Sequence, residues 1–288
     1  MLSGAIMVAD GSNSMERSRE FEYDEQDFQA VRKLIYDRAG INLKAGKQEM
    51  VYSRLARRLR ALKLTSFSVY LQLLTRPDAP EWEAFVNAIT TNLTHFFREP
   101  HHFPILAKQA QEHQQHRPFR VWSAAASTGE EVYSIAIVLD ELFGQLESRC
   151  GILASDLDTN VLETARRGVY SLERLESVSH ERLRRYFLKG TQQNQGYAKV
   201  SDEVRRAIRF ENINLMADAW NIDTPFDAIF CRNVMIYFDR ETQFKILKKL
   251  SRALVPEGRL YVGHSENLFH AKELFQLCEK TVYRRINS

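Results

Sequence analysis

Three short stretches collect side chains able to do chemistry, and each directly follows an apolar run: residues 123–131, 155–158 and 231–237. The first runs from the strand-like 119–125 to Ser127, Thr128 and Gly129, which supply capping hydroxyls and a permissive backbone where a strand must turn into a helix. That helix opens on Glu130 and Glu131. The second ends the apolar run 152–155 on Asp156, roughly 25 residues after the turn, near where a dinucleotide-type fold places its ribose carboxylate. The turn is not the glycine-rich GxGxxG. Its Ala124, Ala125 and Ala126 keep a β-carbon, and the two glutamates put negative charge where a pyrophosphate needs backbone N–H groups and a positive helix end. These residues suit a positively charged nucleoside without phosphates. S-adenosylmethionine, with its sulfonium and ammonium, fits that description better than NAD or ATP. The alternative is an ordinary βαβ unit whose helix is simply capped.

In the third stretch Arg232 and Asn233 follow an apolar strand, where core packing gives no reason for them. Upstream, residues 90–99 offer Asn92, Thr94 and Arg98 as donors amid Leu93, Phe96 and Phe97, the phenylalanines being core candidates. Open α/β sheets bind ligands outside the carboxyl ends of their strands, so these groups are expected to share one cleft.

The elements that must position them divide the chain. With 288 residues and 44% hydrophobic content it can build two ordinary domains. Residues 1–20, rich in Ser, Gly and charge, are expected to form a flexible tail, with Met15 as an alternative start. The helical pattern of 21–90 predicts a small all-α domain, and one of its helices, 48–62, carries Val51, Leu55, Leu59 and Leu62 on a stripe beside Arg54, Arg57 and Arg58. Residues 91–118 form a linker and connecting helix. From 119 to 288 strands at 119–125, 152–155, 207–212, 226–231, 259–263, 275–278 and 281–286 alternate with helices, and the last two, separated by Glu279 and Lys280, read as an antiparallel hairpin on the edge of an otherwise parallel sheet. Residues 170–208 exceed one crossover and predict an inserted antiparallel β-subdomain. Lys+Arg 40 against Asp+Glu 37 is close to balance and gives no general argument for nucleic acid. Three widely spaced cysteines, Cys150, Cys231 and Cys278, suit reduced thiols, and no apolar run approaches a membrane span, so a cytoplasmic protein is expected.

The segments TTNLTHFFRE, VWSAAASTGEEVYSIA, ASDLD, NINL, PFDAIFCRNVMIYF and GHSEN, spread over residues 22–287, resemble the bacterial chemotaxis receptor glutamate methyltransferases, the CheR family. The resemblance implies an all-α domain followed by an S-adenosylmethionine-dependent, Rossmann-like methyltransferase sheet with an inserted β-subdomain, and methyl transfer to receptor glutamates. At matching positions it implies cofactor contacts from Asn92, Thr94, Arg98, Glu131, Asp156, Asn214, Leu215, Cys231, Arg232 and Asn233, with Tyr237 beside the reacting methyl. The chemistry is consistent. A carboxylate is already anionic near pH 7, so as acceptor it needs no general base, only a cation to orient it and an in-line approach. Arg98 and Arg232 are the candidate cations, with the Tyr237 hydroxyl positioning the sulfonium. Arg98 could instead pair with Glu99 or Asp156, and Tyr237 could be a core tyrosine.

No metal is expected. Asp156 and Asp158 offer too few oxygens for a cation site, and His95, His101, His102 and His264 lack ligand spacing. The segment 264–267 is expected near the substrate entrance. The implied partner is a chemoreceptor: its acidic helices would dock on the Arg54, Arg57 and Arg58 face, and a C-terminal tail peptide could add to the β-subdomain by strand addition. A monomer is the expected state. Two other classes stay open at this level. A nucleic-acid methyltransferase would use the basic face for phosphates. A module that senses S-adenosylmethionine would keep Asp156 and the glutamates without catalysis.

Overall fold

A computed structural model describes residues 19–113, 117–223 and 225–286. The expected tail, with Met15, lies almost entirely outside them. Four helices form the first unit: α1 (Glu25–Ala39), α2 (Gln48–Leu62), α3 (Phe67–Leu73) and α4 (Glu81–Ile89). A reciprocal cap between Asp24 and Asp27 starts α1, and Gly40, at φ 70, ends it. The apolar stripes of the helices close on Phe28, Val31, Ile35, Leu55, Leu59, Tyr70 and Phe85, all fully buried.

After the connecting helix α5 (His102–Gln111), the remaining elements are β1 (Phe119–Ser123), α6 (Glu130–Phe143), α7 (Leu146–Arg149), β2 (Cys150–Asp156), α8 (Thr159–Arg167), β3 (Val169–Ser171), α9 (His180–Tyr186), β4 (Phe187–Lys189), β5 (Tyr197–Val200), α10 (Asp202–Arg206), β6 (Ile208–Asn212), β7 (Phe226–Phe230), α11 (Arg240–Ala253), β8 (Leu254–Tyr261), β9 (Phe275–Glu279) and β10 (Val282–Arg285). The main sheet has seven strands in the order β6-β2-β1-β7-β8-β10-β9. Pairing is parallel from β6 to β8, whereas β10 runs antiparallel to both β8 and β9. Alternation along β1 divides the core: Phe119 and Val121 face α5 and α6, while Trp122 faces Ile246, Leu247 and Leu250 of α11. The chain leaves β1 toward β2 on one side and meets β7 on the other, which opens a crevice at the carboxyl end of β1.

The α/β sheet with its terminal hairpin agrees with the expectation from sequence. One strand differs: β8 begins at Leu254 rather than at Arg259, because irregular pairing with β7 near Phe226 and Ala228 accommodates Pro256 and Gly258. Strands β3, β5 and β4 form a separate antiparallel sheet in that order.

Candidate active site

The turn between β1 and α6 is held from below by a carboxylate. Asp156, at the end of β2, accepts the Ser127 N–H through Oδ2 at 2.8 Å and the Asp158 N–H through Oδ1 at 2.9 Å. Ser127 has φ 50 and Gly129 φ 99. A β-carbon at 129 would lie 2.8 Å from the Tyr170 hydroxyl and 2.9 Å from Cβ of Ala165, so only glycine fits. The expected capping hydroxyls do not cap: α6 starts on Gly129 without a side-chain cap, Ser127 donates to the Asn92 carbonyl, and Thr128 donates to Glu130. The reason is geometric, since left-handed Ser127 directs its hydroxyl to the 90–99 segment. Asp158 caps α8 through Asn160 N–H and accepts Thr90 Oγ1 at 2.7 Å and Asn92 Nδ2 at 2.8 Å. Turn, strand end and preceding loop thus form one hydrogen-bonded unit around Asp156. Burial pushes the Asp156 carboxyl up to about 6, against its backbone hydrogen bonds.

A second charged group sits at the ends of β1 and β7. Arg232, with a side chain 1% exposed, lies 3.2 Å from Glu131 Oε2 and 3.5 Å from Glu99 Oε2, and it also donates to the Arg98 carbonyl. Glu131 further accepts the Ser123 hydroxyl at 2.8 Å. Burial raises the Glu131 carboxyl, and the Arg232 charge opposes that rise. Phe97 and Glu99, on either side of Arg98, both hold positive φ, 54 and 57, a strained backbone. Arg98 donates to the Leu93 carbonyl at 2.9 Å and has no ion pair among the described residues.

Between these groups and the all-α domain lies a cleft of about 400 Å³, a volume within the range of small-ligand pockets. Asn92, Thr94, Arg98, Glu131, Asp156, Asn214, Leu215, Arg232, Asn233 and Tyr237 all line it. Cys231 does not: it is fully buried beneath the cleft, with its N–H on the Tyr261 carbonyl. Nor is Arg232 a free cation, because two carboxylates and a carbonyl already take its guanidinium. Asn214 is also engaged, donating to the Arg38 carbonyl and accepting Met216 N–H, both at 2.9 Å.

The arginine face of α2 is likewise divided. Arg54 donates to the Ile89 and Thr90 carbonyls at 2.7 and 2.6 Å, satisfying the end of α4. Arg58 forms a fork with Glu81 at 2.8 Å on both arms. Only Arg57 of the three is exposed and without such a partner among the described residues. Sequence reasoning missed the roof, where Asn42, Lys44 and Lys47 line the cleft from the α1–α2 connection, and Asn42 N–H is bound to the Tyr237 carbonyl at 2.7 Å. The lysines were visible as part of a basic run, but nothing local tied that run to the sheet.

Glu99, His101 and His102 place ligand-type atoms within 4.8 Å of one another, which sequence spacing did not suggest. Arg232 shares Glu99, however, and both rings meet the Thr281 hydroxyl through Nε2. A cation there would face a guanidinium, so the cluster reads as packing that joins the terminal hairpin to the cleft. Burial pushes His102 down to about 3, keeping it neutral.

The fit to S-adenosylmethionine rests on the donor set. Asp156 keeps lone pairs free for hydroxyl donors, Glu131 supplies negative charge for a cationic ligand, and Ala124 and Ala125 give a low floor. Fold and site together define an S-adenosylmethionine-dependent methyltransferase. A family model described as "CheR methyltransferase, SAM binding domain" matches residues 92–284, and one described as "CheR methyltransferase, all-alpha domain" matches 26–90. The chain belongs to the CheR methyltransferase family. It is 52% identical to "Chemotaxis protein methyltransferase 2" of Pseudomonas aeruginosa, over 92% of this chain and 95% of that protein. It is 48% identical to "Chemotaxis protein methyltransferase" of Salmonella typhimurium, over 93% of each, and 47% identical to the Escherichia coli protein of that name, over 98% of each. Among the described residues, no helix is long and apolar enough to cross a membrane.

Proposed function

We propose that the protein methylates glutamate side chains on the cytoplasmic helices of chemoreceptors, leaving γ-methyl esters, and that it does so in the cytoplasm as a monomer. The observation that carries this reading is the charge arrangement of one cleft. Asp156 and Glu131 stand on the side that suits a cationic nucleoside, while Arg98, Lys44 and Lys47 have no ion-pair partner among the described residues. S-adenosylmethionine supplies the methyl group. Asp156 accepts the ribose hydroxyls, and Glu131, fixed by Arg232 and Ser123, balances the ligand's positive charge. Asn92, Thr94, Asn233 and the 214–215 pair shape the walls, with Asn92 and Asn214 acting through the loops they tie down. Arg98, rather than Arg232, orients the incoming carboxylate, and the lysines of the all-α domain draw it in. Tyr237, held through its carbonyl by Asn42, packs at the reacting end.

The exposed Arg57 contributes to docking of an acidic receptor helix. The free edge of β4, next to exposed Leu188, takes a receptor tail peptide by strand addition. Transfer of labelled methyl from S-adenosylmethionine to membranes carrying chemoreceptors, followed by mild alkali, tests the reading. Label on a receptor-sized band that leaves as methanol is expected; alkali-stable label would exclude a glutamate ester.

A further inference from the structure

The segment after β7 supplies Asn233, Val234, Ile236 and Tyr237 to the cleft, yet it contains no regular element longer than the single turn at Met235–Tyr237. What fixes it is a side chain outside the cleft. Glu266, 7% exposed, accepts Asn233 N–H at 2.9 Å and Gly263 N–H at 2.6 Å on Oε2, and Met235 N–H at 2.8 Å on Oε1. Its own N–H returns to the Gly263 carbonyl at 2.9 Å. Asn233 sits at φ 56, the left-handed conformation that makes successive N–H groups converge into an anion-binding nest. Here the anion is a resident carboxylate. Gly263 completes the fit, because a β-carbon on it would lie 2.4 Å from Asn233 Nδ2 and 2.9 Å from the Asn233 nitrogen.

We propose that Glu266 is a positioning residue for methyl transfer: its carboxylate fills the backbone nest of the 233–235 turn and staples the end of β7 to the end of β8, holding the reacting wall of the cleft in place. The inference rests on the methyltransferase reading above. Asp156 ends β2, which lies across β1 from this staple, so the two halves of the cleft are separable. Glutamine in place of Glu266 keeps the shape but turns one acceptor oxygen into a donor facing backbone N–H groups. A loop shifted by about 1 Å at a reacting centre costs on the order of 100-fold in rate.

The test compares wild type with Glu266→Gln and, independently, Gly263→Ala, which pushes on the same turn from the other side. Each is measured for kcat per cofactor-binding site, for S-adenosylmethionine Kd and stoichiometry by calorimetry, and for hydrogen exchange at the 233–237 amides. Both variants are expected to lose about 100-fold in kcat with Kd changed less than about threefold, and to lose exchange protection at Asn233 and Met235. An unchanged kcat per binding site, or a loss that only follows lost binding stoichiometry, overturns the proposal. If Glu266→Gln does not fold, Gly263→Ala decides. A wild type that binds cofactor but transfers no methyl to receptor would defeat the substrate reading instead, leaving the exchange measurement to judge the staple.

Discussion

Lowering the pH from 8 to 5 should weaken cofactor binding, with Asp156 as the principal titrating group. Its carboxyl, 8% exposed, is pushed up to about 6 because burial outweighs the backbone hydrogen bonds it accepts. Ribose hydroxyls are donors, so binding favours the ionised acid. Binding must therefore take a proton off as the pH falls below about 6, and affinity should drop about tenfold per pH unit there while staying flat above about 7. The sign is opposite for the free protein. A carboxyl raised above its unfolded value of about 3.9 costs stability progressively as pH climbs from about 4 through 6, and bound ligand offsets that cost. Other buried carboxyls in the region, Glu131 and Glu266, are also raised, so a control must isolate one group. Asp156→Asn does so: losing a charged acceptor should weaken binding by about 1.5–3 kcal/mol, on the order of 10- to 150-fold, and abolish the slope between pH 5 and 7. Calorimetric titration of both proteins across that range reads the effect. A wild-type Kd that stays flat to pH 5, or an Asn variant that keeps the slope, would mean that Asp156 does not bind the cofactor as an ionised acceptor.

Three further outcomes follow from the packing. Replacing Arg232 by methionine strands Glu99 and Glu131 as buried charges without their cation and should cost about 3–5 kcal/mol in urea unfolding; a loss below about 1 kcal/mol would mean water reaches the pair. Arg54→Ala uncovers the last carbonyls of α4 and should cost about 1–2 kcal/mol, whereas Arg57→Glu should leave the melting temperature alone and raise the receptor KM. Equal stability losses for the two would remove the distinction drawn between them. Gly129→Ala meets both a positive φ and Tyr170, and should destabilise by more than about 2 kcal/mol, checked by thermal unfolding.

The sequence carried the sheet because strands such as 226–230 are buried throughout and apolar but for Asp227, and the polar residues that line the cleft follow directly where such strands end. It carried most of the cleft for the same reason: Asp156, Arg232 and Asn233 each interrupt an apolar run. It could not say which polar groups were already spent. Arg54 and Arg58 look alike on a helical wheel, and only the position of α4 shows that carbonyls and Glu81 claim them. The same holds for Arg232, whose partners Glu99 and Glu131 lie far from it in the chain. Cys231 sits one position before the residues that line the cleft, a difference of one residue at a strand end that periodicity does not resolve. The roof lysines required the docking of two units, which involves contacts such as Tyr36 to Asp239 that leave no local pattern.

Esterification of receptor glutamates at this cleft is read most directly by peptide mapping with mass spectrometry. A receptor cytoplasmic fragment incubated with the protein and S-adenosylmethionine should gain one methylene mass on glutamate side chains, and the gain should fall sharply with Asp156→Asn. Methyl groups found on lysine, histidine or cysteine instead, or no receptor modification under conditions where calorimetry shows the cofactor bound, would mean that this cleft does not esterify receptor glutamates.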